Sequence, residues 1–174
     1  MAQLHQIQVA YAPLQDRLLL RISTGDKSEF RFWITRRYLK LLWPVLNKLL
    51  GADPIVQRQA DETAKDAVLN FRHEQVMQKA EMSKSFATDN ASLPLGSEPV
   101  LLARIHTKQG ENRPTVLCMH PEKGNGIELA LNDGLLHAIV NLVSKAVPQA
   151  DWELGFATNP VKPTSDLDNE VTIN

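Results

Sequence analysis

The chain has 174 residues, 43% of them hydrophobic and 22% charged, with a formal net charge of −1. These are the fractions of a soluble globular protein of one ordinary domain, able to bury roughly 70% of its unfolded-chain surface. No apolar run approaches the ~20 residues of a membrane helix. The lone Cys118 excludes an internal disulfide, and MAQLHQIQVAYAP carries no basic segment leading into an apolar core, so a cytoplasmic protein without a secretory signal is expected.

Residues 4–11 alternate, with Ile7, Val9 and Tyr11 on one face and Gln6, Gln8 and Ala10 on the other, and Ala12-Pro13 ends this first strand. A second strand runs over residues 15–24 with Leu18, Leu20 and Ile22 inward and Arg17, Leu19, Arg21 and Ser23 outward. The short turn Gly25-Asp26-Lys27 makes an antiparallel hairpin with a third strand over residues 29–34. There Phe30, Phe32 and Ile34 face the core and Arg31 and Trp33 point away. At Thr35, a good N-cap, the period turns helical: Tyr38, Leu39, Leu42, Trp43, Leu46 and Leu49 form the stripe of a helix over 36–50. Pro44 predicts a kink or break just before it, at a cost of ~3 kcal/mol if the helix does not bend, and Gly51 supplies the stop.

Asp53-Pro54 starts a second helix, read through to about residue 86 on a thin stripe of Val56, Ala60, Ala64, Ala67, Val68, Phe71 and Met77. So little apolar surface on so long a helix suits one that crosses the outside of the sheet or pairs with a second copy. Residues 87–98 read as an internal linker. Strands resume at 100–106, 115–120 and 127–131. Asn132 then caps a helix carrying Leu135, Leu136, Ile139, Leu142, Val143 and Ala146, which ends before Pro148. Residues 1–150 are expected to form a single α+β domain of antiparallel sheet and amphipathic helices. In the tail, 151–174, Trp152 and Phe156 dock and the chain is disordered after about Pro160.

The grammar repeats. With Thr35 laid on Asn132, Tyr38 falls on Leu135, Leu39 on Leu136, Leu42 on Ile139 and Leu46 on Val143, while Phe30, Phe32 and Ile34 fall opposite Ile127, Leu129 and Leu131. Two βββα pseudo-repeats separated by a long helix would be similar to the strands-then-helix repeats of the PUR and Whirly single-stranded nucleic-acid-binding folds. Those repeats have four strands where three are read here, and they lack the 54–86 helix. The likeness implies a topology and, by analogy of fold alone, a nucleic-acid ligand.

Catalytic motifs are missing: there is no G-x-S-x-G, Phe71-Arg72-His73-Glu74 has no second histidine four residues on, and Glu122, Glu128 and Asp133 have no expected pairing. Lys123-Gly124-Asn125-Gly126 reads as a hairpin turn. Cys118 and His120 share one face of a strand, and His106 is the obvious third metal ligand. Placing His106 near the hairpin turn and His120 at its open end separates them by about 15–20 Å, so neither a metal nor any other cofactor is expected.

Charge is uneven. Residues 1–50 hold eight Lys/Arg against Asp16, Asp26 and Glu29, an excess of +5 that leaves −6 for the rest. Arg17, Arg21, Arg31 and Trp33 lie on the outward side of strands two and three, with Arg36 and Arg37 just beyond. Such a face suits single-stranded nucleic acid, its bases stacked on the ring and its phosphates on the arginines. The competing expectation is that the long helix covers Trp33 and Leu19, its Asp61, Glu62, Asp66 and Glu74 pairing with these arginines. On that basis the leading reading is a non-enzymatic interaction or assembly protein, a homodimer through the 54–86 helix. A single-stranded nucleic-acid binder is the alternative, and an enzyme without a recognisable motif comes third.

Overall fold

The computed structural model describes residues 4–52, 54–59, 61–79, 91–110, 114–152 and 154. The end of the long helix expected beyond residue 79, the first part of the linker, Phe156 and the tail lie outside them.

Three strands open the chain, β1 (Leu4–Ala12), β2 (Arg17–Thr24) and β3 (Glu29–Ile34), antiparallel in sequence order. The alternation has the expected sense: Leu18, Leu20, Ile22, Phe32 and Ile34 are buried, and Ile7, Val9, Tyr11 and Phe30 pack against them. Helix α1 (Arg36–Gly51) follows at once, with the Thr35 hydroxyl accepting from the Tyr38 N–H at 3.1 Å. Its buried stripe is Tyr38, Leu39, Leu42, Trp43, Leu46 and Leu50. No break occurs at Pro44. Pro44 and Lys40 are both on the exposed side of the helix, where a carbonyl left without its N–H donor need not be buried and the cost of the proline falls.

The single helix expected over 54–86 is instead divided. A short α2 (Pro54–Gln57) is followed by a turn closed by the Gln59 N–H on the Val56 carbonyl, and α3 (Glu62–Lys79) then starts afresh. Asp61 causes the restart: its carboxylate accepts from the Ala64 N–H at 2.7 Å, an N-cap bond that competes with continuous helix. α3 lies against α2 and α4 (Asp133–Ala146), tied to α4 by Arg72–Asp133 at 2.7 Å.

Residues 91–99 run beside β3, where the Glu29 N–H donates to the Ser92 carbonyl, and lead into β4 (Val100–Leu101), which pairs parallel with β3. The segment expected as one strand over 100–106 is split between two sheets. Leu102 donates its N–H to the Trp33 carbonyl and the next residue, Ala103, donates to the His120 carbonyl. The chain thereby leaves the sheet β1-β2-β3-β4 and enters a second, β5-β6-β7, of β5 (Arg104–Lys108), β6 (Val116–His120) and β7 (Ile127–Ala130), all antiparallel. Leu102, 2% exposed, sits at the crossing.

Asn132 caps α4 through its side-chain oxygen and the Leu135 N–H at 2.8 Å. One continuous core joins the inner faces of both sheets (Leu20 and Phe32 from one, Leu117, Met119 and Leu129 from the other) with α1 and α4. Tyr38 bridges the halves as well, its hydroxyl donating to the Arg104 carbonyl at 3.2 Å, and burial pushes its phenol far above the ordinary range so that it stays a neutral donor. Trp152 docks as expected. It meets Tyr11 edge-on at 6.4 Å and donates to Asp16 at 2.8 Å. The fold is α+β with mostly antiparallel sheets. The fourth strand of the first sheet comes after the helices and runs parallel to β3, unlike a four-strands-then-helix repeat. Among the described residues, no helix is long and apolar enough to cross a membrane.

Candidate functional site

The outward face of the first sheet is built in cross-strand rows fixed by the register. Ala10, Leu19, Trp33 and Leu101 are successive partners across all four strands and make an apolar row. On one side of it Gln8, Arg21 and Arg31 form the next row, followed by Ser23 with Glu29; on the other side lies Arg17, opposite Ala12. Leu101 is 45% exposed, Trp33 is half-buried, and Arg36 and Arg37 are exposed in the first turn of α1, close to the Arg17 end because Leu18 pairs with Ile34. Thus the structure brings Arg17, Arg21, Arg31 and Trp33 onto one face with Arg36 and Arg37 at its end.

Among the described residues, the helix expected to cover this face packs elsewhere. α3 packs on α4, Asp61 is spent on its own helix cap, and Glu62 pairs with Lys65 at 2.7 Å. The carboxylate of this face is Glu29, 1% exposed, whose Oε1 accepts from Arg21 Nε at 2.9 Å and Arg31 Nε at 2.7 Å. Burial alone would raise the Glu29 carboxyl, but the hydrogen bonds and charge of the two guanidinium groups outweigh it and hold the group below the ordinary carboxylate range. Gln8 accepts from Arg21 and the Ser97 carbonyl from Arg31. Two of the basic side chains are therefore held by partners within the protein. Glu29 Oε2 and the facing Ser23 Oγ are buried without a hydrogen-bond partner.

The outward face of the second sheet holds the group that sequence reasoning separated. Arg104 pairs with His120, His106 with Cys118, and Cys118 with Glu128, so His106, Cys118 and Glu128 form one row with His120 beside it. The ring centroids of His106 and His120 are 5.8 Å apart, nearly parallel, in place of the expected 15–20 Å. The strand bounds explain the error: β5 starts at Arg104 and ends at Lys108, which puts His106 at its centre and not at the turn. One ligand atom from each of Cys118, His120 and Glu128 falls within 4.8 Å of the others. Cys118 is buried, and burial together with the nearby Glu128 raises its thiol. Glu128 is exposed and accepts from Lys108 Nζ at 2.6 Å, the contact that chiefly lowers its carboxyl. Alternation on β6 was the legible half of this signal, and the hairpin register the missing half.

No protein-family model, curated protein or solved structure matches the chain.

Proposed function

We propose that the protein binds single-stranded nucleic acid on the outer face of its first sheet. The observation behind this reading is the aromatic residue between cations: Trp33 lies in the apolar row, with Arg17 on one side, Arg21 and Arg31 on the other, and Arg36 and Arg37 at the end. Among the described residues this face carries five guanidinium groups, and the carboxylate of Glu29 engages two of them, Arg21 and Arg31. That excess offers phosphate contacts, and a base stacked on the ring adds ~1–3 kcal/mol irrespective of sequence. Prior fixing of Arg21 and Arg31 by Glu29 lowers the entropy lost on binding.

Fluorescence anisotropy with labelled single-stranded DNA and RNA tests it. Micromolar or tighter binding that weakens with salt is expected, with Trp33→Ala losing roughly 5- to 150-fold in affinity. No binding at low salt refutes the reading. A second reading, assembly of two copies, rests on Phe71, which is 60% exposed on α3. Light scattering after size exclusion distinguishes it: a dimer dissociated by Phe71→Ser favours assembly, and a monomer at all concentrations removes it.

A further inference from the structure

We propose that the outer face of the second sheet is a zinc site in which Cys118, His120 and Glu128 are ligands and His106 completes the tetrahedron. The three ligand atoms already lie within 4.8 Å of one another, and His106 stacks on His120 at a centroid distance of 5.8 Å. One thiolate, two imidazoles and a carboxylate are a borderline-soft set that suits a four-coordinate divalent ion such as zinc better than the oxygen-seeking calcium or magnesium. Bond lengths of about 2.0–2.3 Å require ligand atoms roughly 3.3–3.8 Å apart, so the set closes by about an ångström on binding. The side chains that close are the less buried ones: Glu128 and His106 are exposed and His120 is half-buried, while Cys118 is buried beneath them. As the zinc–sulfur bond forms, the thiol proton leaves to solvent and Glu128 exchanges Lys108 for the metal.

The backbone supports this aim. A Cβ at Gly126 would stand 2.1 Å from the Met119 carbonyl oxygen and 2.7 Å from His120 Nδ1, so only glycine lets the chain entering β7 come up against that ring. With Nδ1 turned to Gly126, Nε2 faces Glu128, 3.9 Å from its Oε1. The site is separate from the Arg/Trp face, and its test does not depend on nucleic-acid binding.

Cobalt(II) titration of the reduced full-length chain, followed by absorption and then displaced by zinc, gives the readout. One ion per chain is expected, with a sulfur-to-cobalt charge-transfer band and intense tetrahedral d–d bands. Cys118→Ser should abolish the charge-transfer band, and His120→Ala should weaken binding by at least ~100-fold, while His5→Ala leaves it unchanged. Because Cys118 is buried and its variant is at risk of misfolding, Glu128→Gln at the exposed position serves as the second ligand variant, with the same direction expected. Absence of a thiolate band, or affinity unchanged in both His120→Ala and Glu128→Gln, overturns the proposal.

Discussion

The two sheets share a core yet treat charge on their outer faces in opposite ways. On the first, a carboxylate is buried at 1% exposure and held by two arginines whose own side chains are 17% and 29% exposed. On the second, the carboxylate of Glu128 is 42% exposed, its lysine partner 54%, and the buried member of the group is a thiol. A buried charge must stay paired, so the first face is rigid and its arginines are presented in fixed positions. An exposed pair is worth little and is easily exchanged, so the second face can rearrange around a new cation.

The largest test of this contrast is a pair of isosteric changes. Glu29→Gln leaves Arg21 and Arg31 without their shared carboxylate and is expected to cost about 2–4 kcal/mol, whereas Glu128→Gln should cost less than about 1 kcal/mol. Urea denaturation of both variants beside the parent gives the difference directly. Equal losses would show that Glu29 is not the keystone of its face.

Acid gives a second test of the buried carboxylate. The folded Glu29 carboxyl is lowered from its ordinary value of 4.5, so its stabilisation is fully present above that pH and is lost as the pH falls through the lower, folded value. Stability of the parent should therefore decline as the pH drops below about 4.5, and the decline should be shallower in Glu29→Gln. Denaturation midpoints between about pH 6 and pH 3 measure it; parallel curves would assign the acid limb to other groups.

A smaller effect is expected where the two halves meet. Tyr38→Phe keeps the ring in the core but leaves the Arg104 carbonyl without its donor, a loss of about 1 kcal/mol. Its consequence should be felt at the start of β5, as faster amide exchange over 104–106, with β1 unaffected. Uniform change across both sheets would mean that the bond does not act locally.

These elements also show how far the residues can be read directly. Strand faces, both helix caps and the buried stripes of α1 and α4 follow from period and capping chemistry, which are local, and the Arg/Trp face follows from alternation alone. What local pattern does not contain is register and the choice of partner. Val100 and Arg104 look like parts of one strand, and only the backbone bonds of Leu102 and Ala103, one to each sheet, separate them. That separation shifts the hairpin and turns His106 from a distant residue into a neighbour of His120. Similarly, the thin stripe over 54–86 gives no hint that Asp61 would cap a new helix or that α3 would choose α4 over the arginine face. Composition shows Glu29 only as one of three acids in a basic half, and its role depends on a cross-strand pairing that places Arg21 opposite Arg31.

The smallest stability change carries the sharpest information. Lys108→Ala removes an exposed partner of Glu128 and should alter stability by less than about 1 kcal/mol. Its effect on zinc, however, has a sign. If Glu128 exists to hold Lys108, the variant leaves metal affinity unchanged, because the carboxylate was never a ligand. If Glu128 is a ligand that Lys108 occupies in the metal-free protein, removing the competing cation should tighten binding several-fold, since the divalent ion no longer has to displace an ammonium 2.6 Å away. Competition with a zinc chelator of known affinity reads that sign without reference to any activity. Combining Lys108→Ala with Glu128→Gln should abolish the gain, which ties the effect to the carboxylate and not to the general field of the sheet.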